Sequence, residues 1–270
     1  MEKYWSPADI NSVVRNELID IFPELTYKFM SEVDSTNGLL KTWAYEDKIK
    51  PVFLLLAGRQ NAGRGRKKRQ WYSPPRKGLY FSLLFNPAVK SQHLYLYTMI
   101  SSLAVQESLV SHGYKARIKW PNDIMLNGRK VSGILSELMV MNHDKKEKRV
   151  IVGIGINTHI NSYPKYLQDK ATSLLLAKNQ SPAAAQIFKE IITKLINYHY
   201  SLQKEKRINK LREKWLNRLN LKGEIIKIYT DESSYLGKVK DISRRGELIV
   251  STKEGQKLIN SNDIEIMNNQ

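Results

Sequence analysis

The segment Gly58-Arg59-Gln60-Asn61-Ala62-Gly63-Arg64-Gly65-Arg66-Lys67-Lys68-Arg69-Gln70-Trp71 concentrates the residue types that hold anions. Glycines let backbone approach a ligand closely, and arginine forks match phosphate and carboxylate oxygens. The segment follows an apolar run at 52–57, as phosphate loops follow buried strands. It is not a GxxxxGK[ST] loop, because Arg64 stands where Lys is required and Gly65 where Ser or Thr is. The run reads as a ligand loop or as a solvated surface loop; eight cations without one acid across 58–77 favour the ligand. Trp71 is a stacking face for a base or a core aromatic. In Lys119-Trp120-Pro121-Asn122-Asp123, a lysine closes a strand before an Asx turn, as an anion-binding point charge or an edge-strand lysine. Gly153-Ile154-Gly155-Ile156-Asn157 is a truncated dinucleotide fingerprint, with Thr at 158, or a close strand contact. Ser35-Thr36-Asn37 alone reads as an N-cap cluster.

Other chemistries are poorly supported. The 270 residues contain no Cys, which removes disulfides, thiolate zinc sites and a thiol nucleophile. His93, His112, His143, His159 and His199 show no metal-ligand spacing, and the carboxylates form no pairs. No metal ligand is assigned. A hydrophobic fraction of 41% fits a folded globular chain without a membrane span, and the start MEKYWSPADI lacks a signal-peptide core, so the expected location is cytoplasmic. The net charge of +18 calls for an anionic partner, and residues 58–77 and 203–222 together carry +14 of it.

The elements that must position these residues follow from periodicity. Ser6-Pro7 opens a helix that Pro23 ends, and residues 26–29 form a strand. Residues 52–57 and 79–85 are buried strands, and 91–112 is a helix closed by Gly113. Residues 116–120, 124–126 and 130–140 are strands, the last two joined by the hairpin Asn127-Gly128, and 149–156 is another. Together these predict an α+β fold, a mixed β-sheet with helices on one face. Ser181-Pro182 predicts a second N-cap, with a broken helical stretch to about Leu219. Short strands at 224–229, 235–242, 247–251 and 257–260, separated by the turns Asp231-Glu232-Ser233-Ser234, Arg244-Arg245-Gly246 and Glu254-Gly255, predict a small barrel beyond a boundary near Leu221.

Taken in order, Ser35-Thr36-Asn37, Gln60 with Ala62-Gly63-Arg64-Gly65-Arg66, Arg69 and Trp71, Lys119-Trp120-Pro121-Asn122-Asp123, Lys130 with Gly133-Ile134-Leu135 and Glu137, and Gly153-Ile154-Gly155-Ile156-Asn157 closely resemble the biotin protein ligases. The GRGR and KWPND segments are highly specific to that family, and the resemblance spans residues 31–160. The tail from 221 is similar to the family's small SH3-like C-terminal domain, and 161–220 fits as a helical connection. The resemblance implies a catalytic domain over 1–220 and an SH3-like domain over 221–270. It implies a two-step reaction with ATP, Mg²⁺ and biotin: biotin is activated as biotinyl-5′-AMP, then transferred to a lysine of a biotin carboxyl carrier protein domain.

By the same resemblance, Ser35, Thr36 and Gln60 face the ureido head of biotin, and Asn37 belongs to the biotin-binding residues. Gly63, Arg64, Gly65, Arg66 and Gly133 complete the biotin pocket. Arg64, Arg66, Arg69, Trp71, Asn122 and Asn157 belong to the nucleotide side, Asn157 reading the adenine edge. Lys119 bridges the biotin carboxyl and the α-phosphate, and with Arg66 makes the catalytic pair. Family members that repress transcription carry a winged helix of roughly sixty residues ahead of the Ser-Thr segment. Here thirty-four residues precede Ser35, so a monofunctional ligase without operator binding is expected. The oligomeric state stays open between monomer and homodimer. A lipoate or octanoyl transferase of related fold is the nearest rival, against which the complete GRGR and KWPND segments count. A basic nucleic-acid-binding protein is the rival of a different class.

Overall fold

The structure, a computed structural model, describes residues 4–87, 94–141, 147–229, 234–243, 245–260 and 265–268. The expected helix start at Ser91, most of the turn at 231–234, and Arg244 of the next turn lie outside them. In the first helix, Ser6 caps by accepting from Asp9 N and Pro7 holds the first position. It runs through α1 (Pro7–Val13), a π-helical stretch Val14–Leu18 and α2 (Ile19–Ile21). Then come β1 (Thr26–Met30), α3 (Thr36–Tyr45), β2 (Phe53–Ala57), β3 (Gly78–Phe85), α4 (Tyr95–Ser111), β4 (Arg117–Lys119), β5 (Asp123–Leu126), β6 (Arg129–Val140) and β7 (Lys148–Asn157). Asn127 and Gly128 both take positive φ, 49° and 74°, as the tight hairpin between β5 and β6 requires. Helices α5 (Leu174–Lys178), α6 (Ala184–Ser201) and α7 (Glu205–Leu219) precede β8 (Ile225–Tyr229), β9 (Ser234–Ile242), β10 (Leu248–Thr252), β11 (Gly255–Ile259) and β12 (Glu265–Asn268).

Strands β1–β7 make one sheet in the order β1-β2-β3-β7-β6-β5-β4, parallel only between β1 and β2. Its two faces differ. Leu54, Leu56, Phe81, Leu83, Val152 and Ile154 point into a large core with α1, α4 and α6. The alternate residues Phe53, Leu55, Leu84 and Ile151 point the other way, against Leu40 and Ala44 of α3. Helices therefore lie on both faces, a correction to the expectation of one: α3 is the crossover between the parallel strands β1 and β2. It covers only part of its face: Ser82 and Gly153 lie under its first turn, and beyond it the face carries Gly133 and Gly155.

The second expected N-cap fails in its register. Helix α6 begins at Ala184 after Ala183, with no side-chain cap, and Ser181 Oγ instead lies 3.4 Å from His159 Nε2. Past the break at 202–204, α7 buries Leu211, Trp215 and Leu219, and its Trp215 Nε1 donates to Ser102 Oγ of α4. Two of its cations are structural: Lys214 pairs with Glu107 at 2.6 Å, and Arg212 donates to Ile242 O. The tail is a five-stranded antiparallel sheet, β11-β10-β9-β8-β12. Strand β12 was not expected, although Ile264 and Ile266 alternate with charge in the sequence. The tail shares the large core and meets the first sheet where Trp120 Nε1 lies 3.3 Å from Gly246 O.

One buried group gives this core a pH dependence. His199 stacks on Phe85 at 4.5 Å with Nδ1 3.1 Å from Tyr97 Oη, and burial pushes its imidazole down to about 4. The unfolded chain takes up this proton near its ordinary value of 6.5 and the fold does not. Stability therefore falls as pH drops from 6.5 to about 4, by at most about 3 kcal/mol, and this contribution levels off below that. Urea midpoints measured across this window fall in the wild type; in His199→Phe that part of the fall is removed.

Candidate active site

The floor of the site is set by strand register. Across the sheet, Lys119 pairs with Asp123, Asp123 with Gly133, Gly133 with Gly155 and Gly155 with Tyr80. One row thus runs from the cation of the KWPND segment over two glycines, and Lys119 stands two strands, roughly 10 Å, from Gly133. The next row on this face joins Leu135, Gly153 and Ser82. The glycines are needed for close approach. A Cβ at Gly155 would lie 2.4 Å from Trp71 Nε1, and one at Gly153 would lie 2.2 Å from Asn37 Oδ1. The indole of Trp71 lies over Gly133 and Gly155, its buried Nε1 without a hydrogen-bond partner. Lys130 Nζ sits 5.2 Å above that ring and 2.6 Å from Asp123 Oδ1.

At the other end lies a polar cluster. Ser35 caps α3, accepting from Gly38 N at 3.3 Å. Thr36 N and Thr36 Oγ1 donate to Gln60 Oε1 at 2.9 and 3.1 Å, and Gln60 Nε2 donates to Ser73 Oγ at 3.2 Å. Ser82 Oγ lies 2.7 Å from Thr36 Oγ1 and 2.6 Å from Asn37 Oδ1. Asn37 Nδ2 donates to Glu137 Oε2 at 2.7 Å, and Arg64 Nη2 is 3.9 Å from the same oxygen. Ser35, Thr36 and Asn37 sit at the start of α3 and Ser82 and Glu137 on β3 and β6, which places that part of the cluster rigidly, while Gln60, Arg64 and Ser73 come from the connection between β2 and β3.

The basic loop is folded between these ends. Trp71 N donates to Gly63 O at 2.8 Å and Gly65 N to Arg69 O at 2.7 Å, closing it as a small ribbon. Its tip, the 3-10 turn Arg66–Lys68, places Lys67 and Lys68 at φ 53° and 58°. Such left-handed geometry is costly for bulky residues and collects at ligand-binding loops. Arg66 Nη1 donates to Asn122 Oδ1 at 3.3 Å, so the GRGR and KWPND segments touch. Burial lowers the Arg66 pKa from its ordinary value, against the opposing pull of Asp123. Asn157 is buried and donates to Thr172 O at 3.0 Å.

The structure thus gathers Ser35, Thr36, Asn37, Gln60 and Arg64 at one end, Trp71 and Gly133 in the middle, and Arg66 and Asn122 beside the Lys119 end. Asn157 lies two residues past Gly155 on β7. Sequence reasoning left four contributors without a role: Ser73, Ser82, Lys130 and Glu137. Ser82 had a signal, as the one polar residue in Leu79-Tyr80-Phe81-Ser82-Leu83-Leu84-Phe85 apart from a tyrosine. Among the described residues, no group of three His, Asp or Glu could hold a metal ion, and no helix is long and apolar enough to cross a membrane.

Comparison with known proteins places this chain in a class. The model of the Biotin/lipoate A/B protein ligase family matches residues 29–157, and that of the Biotin protein ligase C terminal domain matches 223–267. The structure of a biotin protein ligase from Aquifex aeolicus in complex with biotin and ATP is similar over 90% of this chain and 99% of that one, at 30% identity and a TM-score of 0.75. The bifunctional ligase/repressor BirA of Bacillus spizizenii is 32% identical over 216 residues, 79% of this chain and 66% of that protein. A biotin–[acetyl-CoA-carboxylase] ligase of Mycobacterium tuberculosis is 27% identical over 178 residues, covering 63% of this chain and 64% of that protein. The chain therefore matches just under two thirds of the length of these two curated relatives. It belongs to the biotin protein ligase family.

Proposed function

We propose that the chain couples ATP to biotin and delivers the biotinyl group to a lysine of a carrier domain. The observation that carries this reading is the row across the sheet: a rigid polar cluster at one end, small residues in the middle, and Lys119, Lys130 and Arg66 at the other. A ligand with a polar cyclic head and a carboxylate tail fits that polarity. In the first step a biotin carboxylate oxygen attacks the α-phosphorus of ATP. A new O–P bond forms, the bond to the β-phosphate bridge breaks and pyrophosphate leaves. In the second step a carrier lysine amine attacks the acyl carbon, AMP departs with the bonding pair, and the amide forms with release of a proton.

Two anions must meet in the first step, so cations that neutralise both are the main requirement. Lys119 and Lys130 supply them from the sheet and Arg66 from the loop, with Arg69 of the same loop along the triphosphate. No group of three His, Asp or Glu among the described residues could hold Mg²⁺, so it would be carried in on the ATP phosphates and would offset their charge. Trp71, bedded on the glycines, gives the nucleotide an apolar wall, and the folded loop above keeps water from the mixed anhydride. Residues 1–220 act as the catalytic unit and 221–270 as a small accessory domain. Cytoplasmic location follows from the carboxylase carrier this reading requires.

The test is to incubate the chain with biotin, MgATP and a carrier domain and to weigh the carrier. One biotinyl group on one lysine, absent without ATP, is the expected result; no gain in mass, with a lipoyl group taken up when lipoate replaces biotin, would overturn the reading. Thr36→Val removes the hydroxyl that donates to Gln60 while keeping the shape. It raises the KM for biotin roughly tenfold or more and leaves the KM for ATP unchanged, read from steady-state kinetics.

A further inference from the structure

We infer that Trp120 is a positioning residue: braced by the turn Ser243–Glu247 of the tail, it sets the place of Lys119. This rests on the reading that Lys119 meets the reacting anions. The lysine stands on the least supported strand of its sheet. Strand β4 has three residues and lies at the sheet edge, where β5 alone pairs with it among the described strands. Ile118 and Trp120, on either side of Lys119, are buried in the large core, while Lys119 itself is exposed on the opposite side. Side chains alternate along this stretch, so whatever fixes Trp120 from the core side fixes the backbone of the lysine beside it. A lysine stem is flexible, and its ammonium is aimed only as well as that backbone is held.

The tail supplies the brace. Trp120 Nε1 donates to Gly246 O at 3.3 Å. The turn that offers this carbonyl is stiff: Ser243 N donates to Glu247 O at 2.8 Å, and Ser243 Oγ accepts from Arg245 N and Glu247 N at 3.1 and 3.2 Å. It is also firmly seated. Gly246, at φ 83°, lies so close to Tyr95 of α4 that a Cβ would come within 2.5 Å of the ring. Arg212 of α7 donates to Ile242 O at 3.1 Å, just ahead of the turn. The indole therefore meets a carbonyl held from α4, from α7 and from within the turn. Beyond Pro121 the segment has its own anchor, for Asn122 Nδ2 donates to Ile134 O at 2.8 Å and Ile134 N to Asn122 O at 3.0 Å. Loss of the brace thus falls on Lys119 and leaves Asn122 in place.

The experiment measures the single-turnover rate of adenylate formation, and melting, in wild type, Trp120→Phe, Lys119→Ala and the double variant. W120F keeps an aromatic ring but loses the donor. With Lys119 present it lowers the rate roughly tenfold, as a small misplacement of a reacting group does. With Lys119 already removed, W120F lowers the rate less than about twofold, because no ammonium is left to misplace. A tryptophan that only fills the core lowers melting in both backgrounds and changes the rate by the same factor, or not at all, in both. Either of those rate patterns overturns the inference. Where W120F does not fold, Arg212→Leu, which frees the turn from α7, is read against Lys119→Ala in its place, and the same patterns decide. A Lys119→Ala protein that forms adenylate at the wild-type rate, or a wild type that forms none, overturns the functional reading instead.

Discussion

Lys119→Ala lowers the rate of adenylate formation by about 10²–10³-fold, the usual effect of removing one preorganised charge from a reacting anion. The lysine closes the short strand β4 and its side chain is exposed, so little packing is lost with it. Its cross-strand partner Asp123 is already paired with Lys130 at 2.6 Å, so the substitution strands no buried acid. Melting therefore moves by no more than about 0.5 kcal/mol equivalent. Biotin-dependent pyrophosphate release, followed in a single turnover, separates this loss from any effect on transfer. A variant that forms adenylate at the wild-type rate would remove Lys119 from the chemistry.

Gly155→Ala has the second large effect, and its sign is informative. A glycine inside a strand ordinarily weakens it, so alanine at an open position would stabilise the sheet. Here the added methyl would meet Trp71 Nε1 at 2.4 Å and Cε2 at 2.5 Å. The indole has no easy retreat, because Trp71 N is bonded to Gly63 O at 2.8 Å and Lys130 covers the ring. The loop must lift. Stability falls by about 1–3 kcal/mol, as for other overpacked sites, and the KM for ATP rises at least about tenfold. Chemical unfolding and steady-state kinetics check the two together; a more stable variant with normal ATP kinetics would mean that Trp71 does not rest on the strand.

The strands and helices were legible because their apolar residues repeat at periods of two and three to four, and the hairpin because Asn127-Gly128 admits few other turns. What periodicity does not carry is which strands become neighbours. Gly133 and Gly155 are opposite each other only because β6 lies beside β7, and Ser82 meets Asn37 only because α3 crosses the face opposite α4 and α6. That placement of α3 is why helices on one face was a wrong expectation. The Ser181-Pro182 cap misled for a local reason: Ala184 N bonds to Pro182 O in a turn, and the serine hydroxyl is turned toward His159. The GRGR and KWPND segments stood out through the family resemblance, and the structure brings them into contact through Arg66 and Asn122. Glu137 and Lys130 acquire a physical reason only from the geometry, one by accepting from the Asn37 amide and the other by sitting over an indole.

The charge of the chain divides in the same way. Arg64 and Arg66 of the +8 segment reach Glu137 and Asn122 of the candidate site. Lys214 and Arg212 of the second basic segment are internal ties, which leaves the remaining cations of α7 on its outer face.

The most direct test of the central claim needs no carrier. The purified chain is mixed with biotin and MgATP, denatured rapidly, and its small molecules are weighed. The account predicts biotinyl-5′-AMP together with pyrophosphate, formed only when biotin and ATP are both present and lost in Lys119→Ala. ATP cleaved to ADP and phosphate, or biotin recovered unchanged beside intact ATP, would contradict it.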